Sequence, residues 1–214
     1  MRALRPMLAA AAAASLALAA GAGAAPPPAQ KWIDKPDGFS VVLPPRWYPV
    51  PRTVAAVKAT IAAARKAKRA DLAAAYGFFL TPAGKRELEA YSFQAFYFNG
   101  PTSDPVPIEL SIQIVRARRA YTAADLRTAG RTYARALAAN KGARISAPKR
   151  IELPAGPAQY VVGTVPNGGG VSTGLELYIL AHGKRLYVLS FKIDARVLAQ
   201  AKVFRSIAEH FAWT

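Results

Sequence analysis

The sequence predicts an α+β fold, a mostly antiparallel β-sheet flanked by helices, and three observations carry that expectation. Leu175 to Ala181 and Leu186 to Ile193 are β-rich runs separated by the short link around Gly183, which reads as a hairpin. The second run is apolar on both parities, with Leu186 and Val188 set against Tyr187, Leu189, Phe191 and Ile193. Such a strand belongs in the middle of a sheet and is covered on each side. Ala195 to His210 then spaces Val197, Leu198, Ala201, Phe204, Ile207 and Ala208 at helical intervals, continued by Phe211, as one wide apolar stripe suited to lying across the hairpin.

The remaining elements follow in order. Pro26-Pro27-Pro28 opens an extended leader over 25–37, ordered structure starts at Trp32-Ile33, and Lys35-Pro36-Asp37-Gly38 is a turn. Phe39 to Leu43 is a strand that Pro44-Pro45 stops, with Trp47 expected against the end of the core. Thr53 can cap a helix from Val54 to about Tyr76, with Gly77 able to end it. Arg65 and Lys68 interrupt its apolar side, so either one helix overhangs the sheet edge or two shorter helices form, the second reaching Leu80. Glu87 to Phe98 reads as a strand, 99–105 as a loop, and Ile108 to Val115 as a strand with Ile108, Leu110, Ile112 and Ile114 facing the core. Thr122-Ala-Ala-Asp125 resembles a capping box. Beyond it, Leu126, Ala129, Tyr133 and Leu137 make a helical stripe, closed by Asn140-Lys141-Gly142. Gln159 to Val165 is a further strand, and Gly168-Gly169-Gly170 links it to the terminal hairpin. No repeat and no second domain is evident, so 38–214 is expected to be a single domain.

Residues 1–24 have the layout of a secretory signal peptide: Arg2 and Arg5, an apolar run from Met7 to Ala20, then Ala22-Gly23-Ala24 for cleavage. The protein is therefore expected to be secreted or extracytoplasmic, in the periplasm or cell envelope, with no transmembrane span in the mature chain. It contains no cysteine, which excludes disulfides, thiolate metal sites and a cysteine nucleophile. The formal net charge is +17. So basic a domain is attracted to anionic surfaces at low salt. For an exported protein the expected partner is an anionic envelope component or an unknown protein, with peripheral membrane contact, rather than nucleic acid.

Few motifs carry chemistry. His182 and His210 are the only histidines and no His/Asp/Glu cluster has ligand spacing, so neither metal nor cofactor is expected. His182 reads as a solvated turn residue and His210 as a helix-end cation. No Ser lies in Gly-x-Ser-x-Gly, and the glycine triplet lacks the Gly-Lys-Ser/Thr ending of a phosphate loop, so no catalytic residue is assigned. Glu87 and Glu89 would share one strand face, the geometry of paired carboxylates, but at a strand start among Lys85 and Arg86 they read as surface charge. Functional pull rests with the basic groups. They are Arg65, Lys66, Lys68 and Arg69; Arg116, Arg118 and Arg119; and the stripe Arg127, Arg131 and Arg135. Several such residues together could decide adsorption to an anionic membrane, at about 1 kcal/mol each.

Gly38-Phe-Ser-Val-Val-Leu-Pro-Pro-Arg-Trp47 resembles the opening of PsbP-like domains. Leu153-Pro-Ala-Gly-Pro-Ala158 is similar to the turn before their middle strands. Arg185 to Phe191, followed by Phe204-Arg-Ser-Ile-Ala-Glu-His-Phe211, resembles their closing strand and helix. The resemblance covers most of Trp32 to Thr214 and implies a Mog/PsbP-type α/β/α sandwich. That family includes photosystem II accessory proteins, Ran-binding proteins and exported bacterial proteins of unknown role, and none of its functional residues maps onto this chain. It implies a non-catalytic binding or adaptor domain. The competing classes are a hydrolase with a site assembled from distant residues and a domain that binds a small apolar ligand.

Overall fold

The structure is a computed structural model and describes residues 29–97, 108–166, 172–195 and 202–214. The expected signal peptide, the 99–105 loop and the glycine triplet lie outside these residues.

In chain order the first elements are β1 (Gln30–Asp34), β2 (Phe39–Leu43), β3 (Trp47–Pro49), α1 (Val54–Lys66), α2 (Ala70–Gly77) and a short 3-10 turn (Phe78–Leu80). Next come α3 (Pro82–Ala90), β4 (Phe93–Tyr97), β5 (Ile108–Arg116), α4 (Ala123–Ala138), β6 (Arg144–Ile145), β7 (Lys149–Leu153) and β8 (Gly156–Pro166). The chain closes with β9 (Ser172–His182), β10 (Arg185–Asp194), α5 (Lys202–Glu209) and β11 (Ala212–Trp213). The larger sheet runs β3-β4-β5-β10-β9-β8-β6, with β7 also paired to β8, and its neighbours are antiparallel. A three-stranded sheet, β1-β2-β11, is separate from it.

β10 is the central strand, as its two apolar parities require. Tyr187, Leu189, Phe191 and Ile193 join the main core with Phe39 and Val41 of β2 and Phe204, Ile207 and Ala208 of α5. Leu186 and Val188 face the other way, into a cluster with Val161, Leu177, Ile179 and Leu126 and Ala134 of α4. Val197, Leu198 and Ala201 of the expected stripe lie outside the described residues; its described part, in α5, lies on the hairpin as expected, and Phe204 stacks on Phe191 with ring centroids 4.7 Å apart. Trp47 is fully buried against the edge of Phe204. A third cluster packs α1, α2 and the 3-10 turn on Val50 and Phe96, beside the β3–β4 edge. The fold is thus an α+β sandwich.

Several expectations are corrected. β2 pairs with β1, formed from residues read as leader, and with β11, whose two residues are too short to show periodicity. Of the two alternatives for 54–80, the structure takes the second, two shorter helices. The break falls where Lys68 takes a left-handed φ of 56°, and the second helix runs into the 3-10 turn ending at Leu80. Most consequentially, Glu87 to Ala90 is helical. Thr81 Oγ1 accepts from Gly84 N at 3.1 Å and Pro82 occupies the first turn, so a proline-led cap starts α3. Among the described residues of the expected strand, Phe93 to Tyr97 form β4, and Phe98 lies outside them.

Candidate functional site

The basic residues separate into two groups. Arg69 grips Asp71 through Nε and a terminal nitrogen at 2.9–3.1 Å. Arg119 makes a bidentate pair with Asp125 at 2.7 and 2.8 Å, and with Thr122 it holds that carboxyl well below the usual carboxylate range. Arg116 bonds the buried carboxylate of Asp37. These three are tied into the fold. Arg65, Lys66, Lys68, Arg118, Arg127, Arg131 and Arg135 are exposed, and none makes an ion pair among the described residues. Arg127, Arg131 and Arg135 recur at every fourth position of α4, as an exposed row one residue along from its buried Leu126, Gly130 and Ala134.

This arginine stripe and the end of α1 lie on the same side of the larger sheet. The residues under α4 include Val188, which is opposite Gln113 of β5. Phe96, under α1 and α2, is opposite Glu109 of the same strand. Gln113 and Glu109 stand four residues apart and therefore share a face.

Between the two helical groups the sheet floor is polar. Cross-strand registers align Gln94 with Ser111 and Ser190, and Glu109 with Lys192. Lys192 Nζ donates to Glu109 at 3.3 Å, Gln94 donates to Glu87 of α3 at 3.2 Å, and Tyr133 of α4 donates to Gln113 at 3.3 Å. Burial pushes the Glu109 carboxyl up, with Lys192 opposing and Glu87 adding to the shift. Ser111 is only 4% exposed, and its hydroxyl has no partner among the described residues.

A second constellation lies on the opposite side of the larger sheet, at the end of β5. The β1–β2 turn buries Asp34 and Asp37, with Gly38 at a φ of 72°. Arg52 donates to Asp34 at 3.0 Å, and Asp37 N donates back to Asp34 at 3.1 Å. Burial raises the Asp34 carboxyl despite these contacts. Beside them is an open cavity of about 320 Å³ bordered by Arg52, Arg116, Glu89, Tyr91 and Ser92. Glu87 and Glu89, expected on one strand face, instead diverge around α3, one to the polar floor and the other to this cavity.

His182 is exposed and stacks on Trp213 with ring centroids 4.7 Å apart, so it is more than a solvated turn residue. His210 Nδ1 is 2.8 Å from the Ser206 carbonyl at the end of α5. Among the described residues no group of three His, Asp or Glu side chains converges as metal ligands, and no helix is long and apolar enough to cross a membrane. The polar floor, the Asp–Arg turn and the unequal pairing of the arginines escaped sequence reasoning. Each depends on which residues from distant strands become neighbours. The Glu109-Ser111-Gln113 alternation within an otherwise apolar strand was the one available signal.

No protein-family model and no curated protein matches the chain. Among solved structures, it is similar to the cyanobacterial PsbP of Synechocystis sp. PCC 6803, with a TM-score of 0.56 at 13% identity over 92% of this chain and 99% of that one. A protein from Bacteroides thetaiotaomicron aligns with a TM-score of 0.50 at 11% identity, covering 86% of this chain and 48% of that one. LpqN, described as involved in cell envelope biogenesis of Mycobacterium tuberculosis, aligns with a TM-score of 0.49 at 14% identity over 87% and 91% of the two chains. At these identities the likeness is one of fold, and the fold is that of PsbP.

Proposed function

We propose that this is a non-catalytic binding domain of the cell envelope that meets an anionic surface through the outer face of α4. The observation that carries the reading is the contrast in pairing. Arg69, Arg116 and Arg119 are neutralised by Asp71, Asp37 and Asp125, whereas Arg127, Arg131 and Arg135 stand exposed in one row without a carboxylate partner among the described residues. Arg65, Lys66 and Lys68 at the end of α1 extend positive charge on the same side of the sheet, and the exposed Arg118 adds to it from the link between β5 and α4. Each basic side chain close to an anionic bilayer contributes about 1 kcal/mol, so a row of three with flanking lysines and arginines suffices for reversible adsorption. The signal-peptide layout of residues 1–24 supports an extracytoplasmic setting for that contact.

The test is co-sedimentation of the mature chain with anionic and neutral vesicles across a salt series. Binding confined to anionic vesicles and falling with salt is the expected result. Equal binding to neutral vesicles, or none at low salt, contradicts the reading.

A further inference from the structure

We propose that the cavity beside the β1–β2 turn binds a small zwitterion of the amino-acid type, its carboxylate on Arg52 and Arg116 and its ammonium on Glu89. The site goes beyond the arginine face, since it uses no residue of α4.

Separate stretches of chain build the cavity. The β1–β2 turn brings Asp37, the link before α1 brings Arg52, and the end of β5 brings Arg116. The end of α3 brings Glu89, and the link from there to β4 brings Ser92. The volume of about 320 Å³ is at the lower end of small-molecule sites, which run to about 1,000 Å³, so the cavity suits a ligand of amino-acid size.

The segregation of charge selects the ligand. The Asp34 and Asp37 side chains are only 4% and 3% exposed, whereas those of the arginines they hold, Arg52 and Arg116, remain 47% and 62% exposed. The buried carboxylates thus act as anchors, and the guanidinium groups are what the cavity presents. One terminal nitrogen of Arg52 is 3.0 Å from Asp34 and 3.7 Å from one oxygen of Asp37, and Arg116 donates to the other oxygen of Asp37. Both guanidinium groups are therefore gathered around one carboxylate before any ligand arrives. A guanidinium carries five N–H donors, so each keeps several after these bonds. Two neighbouring guanidinium groups with spare donors match a carboxylate, which accepts charge-assisted bonds from both.

Glu89 is the opposite pole. It is exposed on the border of the cavity and, like Ser92, makes no side-chain bond among the described residues. Arg185 approaches the same turn from outside and donates to the Pro36 carbonyl at 3.3 Å. Asp34, Asp37 and Glu89 thus balance Arg52, Arg116 and Arg185, and net charge favours neither a simple anion nor a simple cation. A simple anion on the arginines is repelled by Glu89, and a simple cation on Glu89 is repelled by the arginines. A molecule carrying both charges satisfies both poles.

The experiment is an amide NMR titration of the full mature chain at low salt with glycine, β-alanine and 4-aminobutyrate. Acetate and methylammonium serve as single-charge probes, and the series is repeated for Glu89→Gln and Arg52→Lys. Glu89→Gln removes an exposed, unbonded carboxylate and Arg52→Lys keeps a cation beside Asp34, so both variants are expected to fold, which their amide spectra verify. The expected result is saturable shifts around Ser92 with at least one amino carboxylate, and binding about tenfold weaker or worse for acetate and methylammonium. In Glu89→Gln that amino carboxylate weakens about tenfold while acetate does not weaken; in Arg52→Lys both weaken. Absence of saturable shifts with all three amino carboxylates overturns the proposal. Acetate binding as tightly as the best of them, or unchanged binding in folded Glu89→Gln, overturns it equally.

Discussion

Arg116, at the end of β5, donates to the buried carboxylate of Asp37, which lies 79 residues earlier in the β1–β2 turn. The bond ties the larger sheet to the smaller one. Tyr187 of β10 donates to the Asp37 carbonyl at 2.8 Å, and Arg52 reaches Asp34 in the same turn. A residue whose charge suggested ligand contact is therefore a structural clamp. Arg116→Ala leaves a buried carboxylate short of a partner and is expected to destabilise the protein by about 1–3 kcal/mol, read from urea unfolding. Its effect on vesicle binding is expected to be small beside that of any one charge reversal on α4.

Phe204 is fully buried and anchors α5 on Phe191 and Trp47. Phe204→Ala is expected to cost about 3–5 kcal/mol, since it removes a ring from a closed core. A thermal midpoint equal to the wild type contradicts the placement of α5.

Gly84 is required by close approach. A Cβ there would lie 2.2 Å from the Phe78 carbonyl oxygen, between α3 and the backbone of the preceding turn. Gly84→Ala is expected to destabilise by about 1–3 kcal/mol through forced backbone movement. Thr81→Ala, which removes the cap of the same helix, is expected to cost about 1 kcal/mol. Denaturant melts of the two variants rank these effects.

Glu176 points into the main core side of β9, where Tyr178 donates to it at 2.9 Å. Burial raises its carboxyl above the ordinary 4.5, with the Tyr178 and Tyr160 hydroxyls pulling the other way; Tyr160 itself is pushed up to about 12, chiefly by burial. A raised folded-state pKa means that the folded chain holds this proton more tightly than the unfolded chain. Its contribution favours folding at low pH and is lost as pH rises from the ordinary 4.5 through the folded value. Glu176→Gln removes that gradient. The midpoint difference between variant and wild type is thus expected to move in favour of the variant as pH increases over this window, measured by paired melts.

The fold was largely legible because hydrophobic periodicity reports local burial. The two-sided β10 and the α5 stripe follow from it, whereas the capping box at Thr122 and Asp125 is legible from its polar residue types and spacing. The 82–90 helix was not legible because its only buried residues are Gly84 and Leu88, too few for a helical stripe, and the signal was in the Thr81-Pro82 start. The candidate sites were less legible for a different reason. Charge type can be read from sequence, but pairing cannot. Arg116 and Arg127 look alike in the chain and differ only because Asp37 is folded against one of them. Ser111 likewise becomes notable only once Gln94, Ser190 and the two helices are placed around it.

The most direct measurement is co-sedimentation of an Arg127→Glu, Arg131→Glu, Arg135→Glu variant with anionic vesicles at low salt, beside the wild type and Arg116→Ala. The triple variant is expected to stay folded and lose nearly all vesicle binding, whereas folded Arg116→Ala retains it. A folded triple variant that binds as well as the wild type contradicts the assignment of α4 as the contact face.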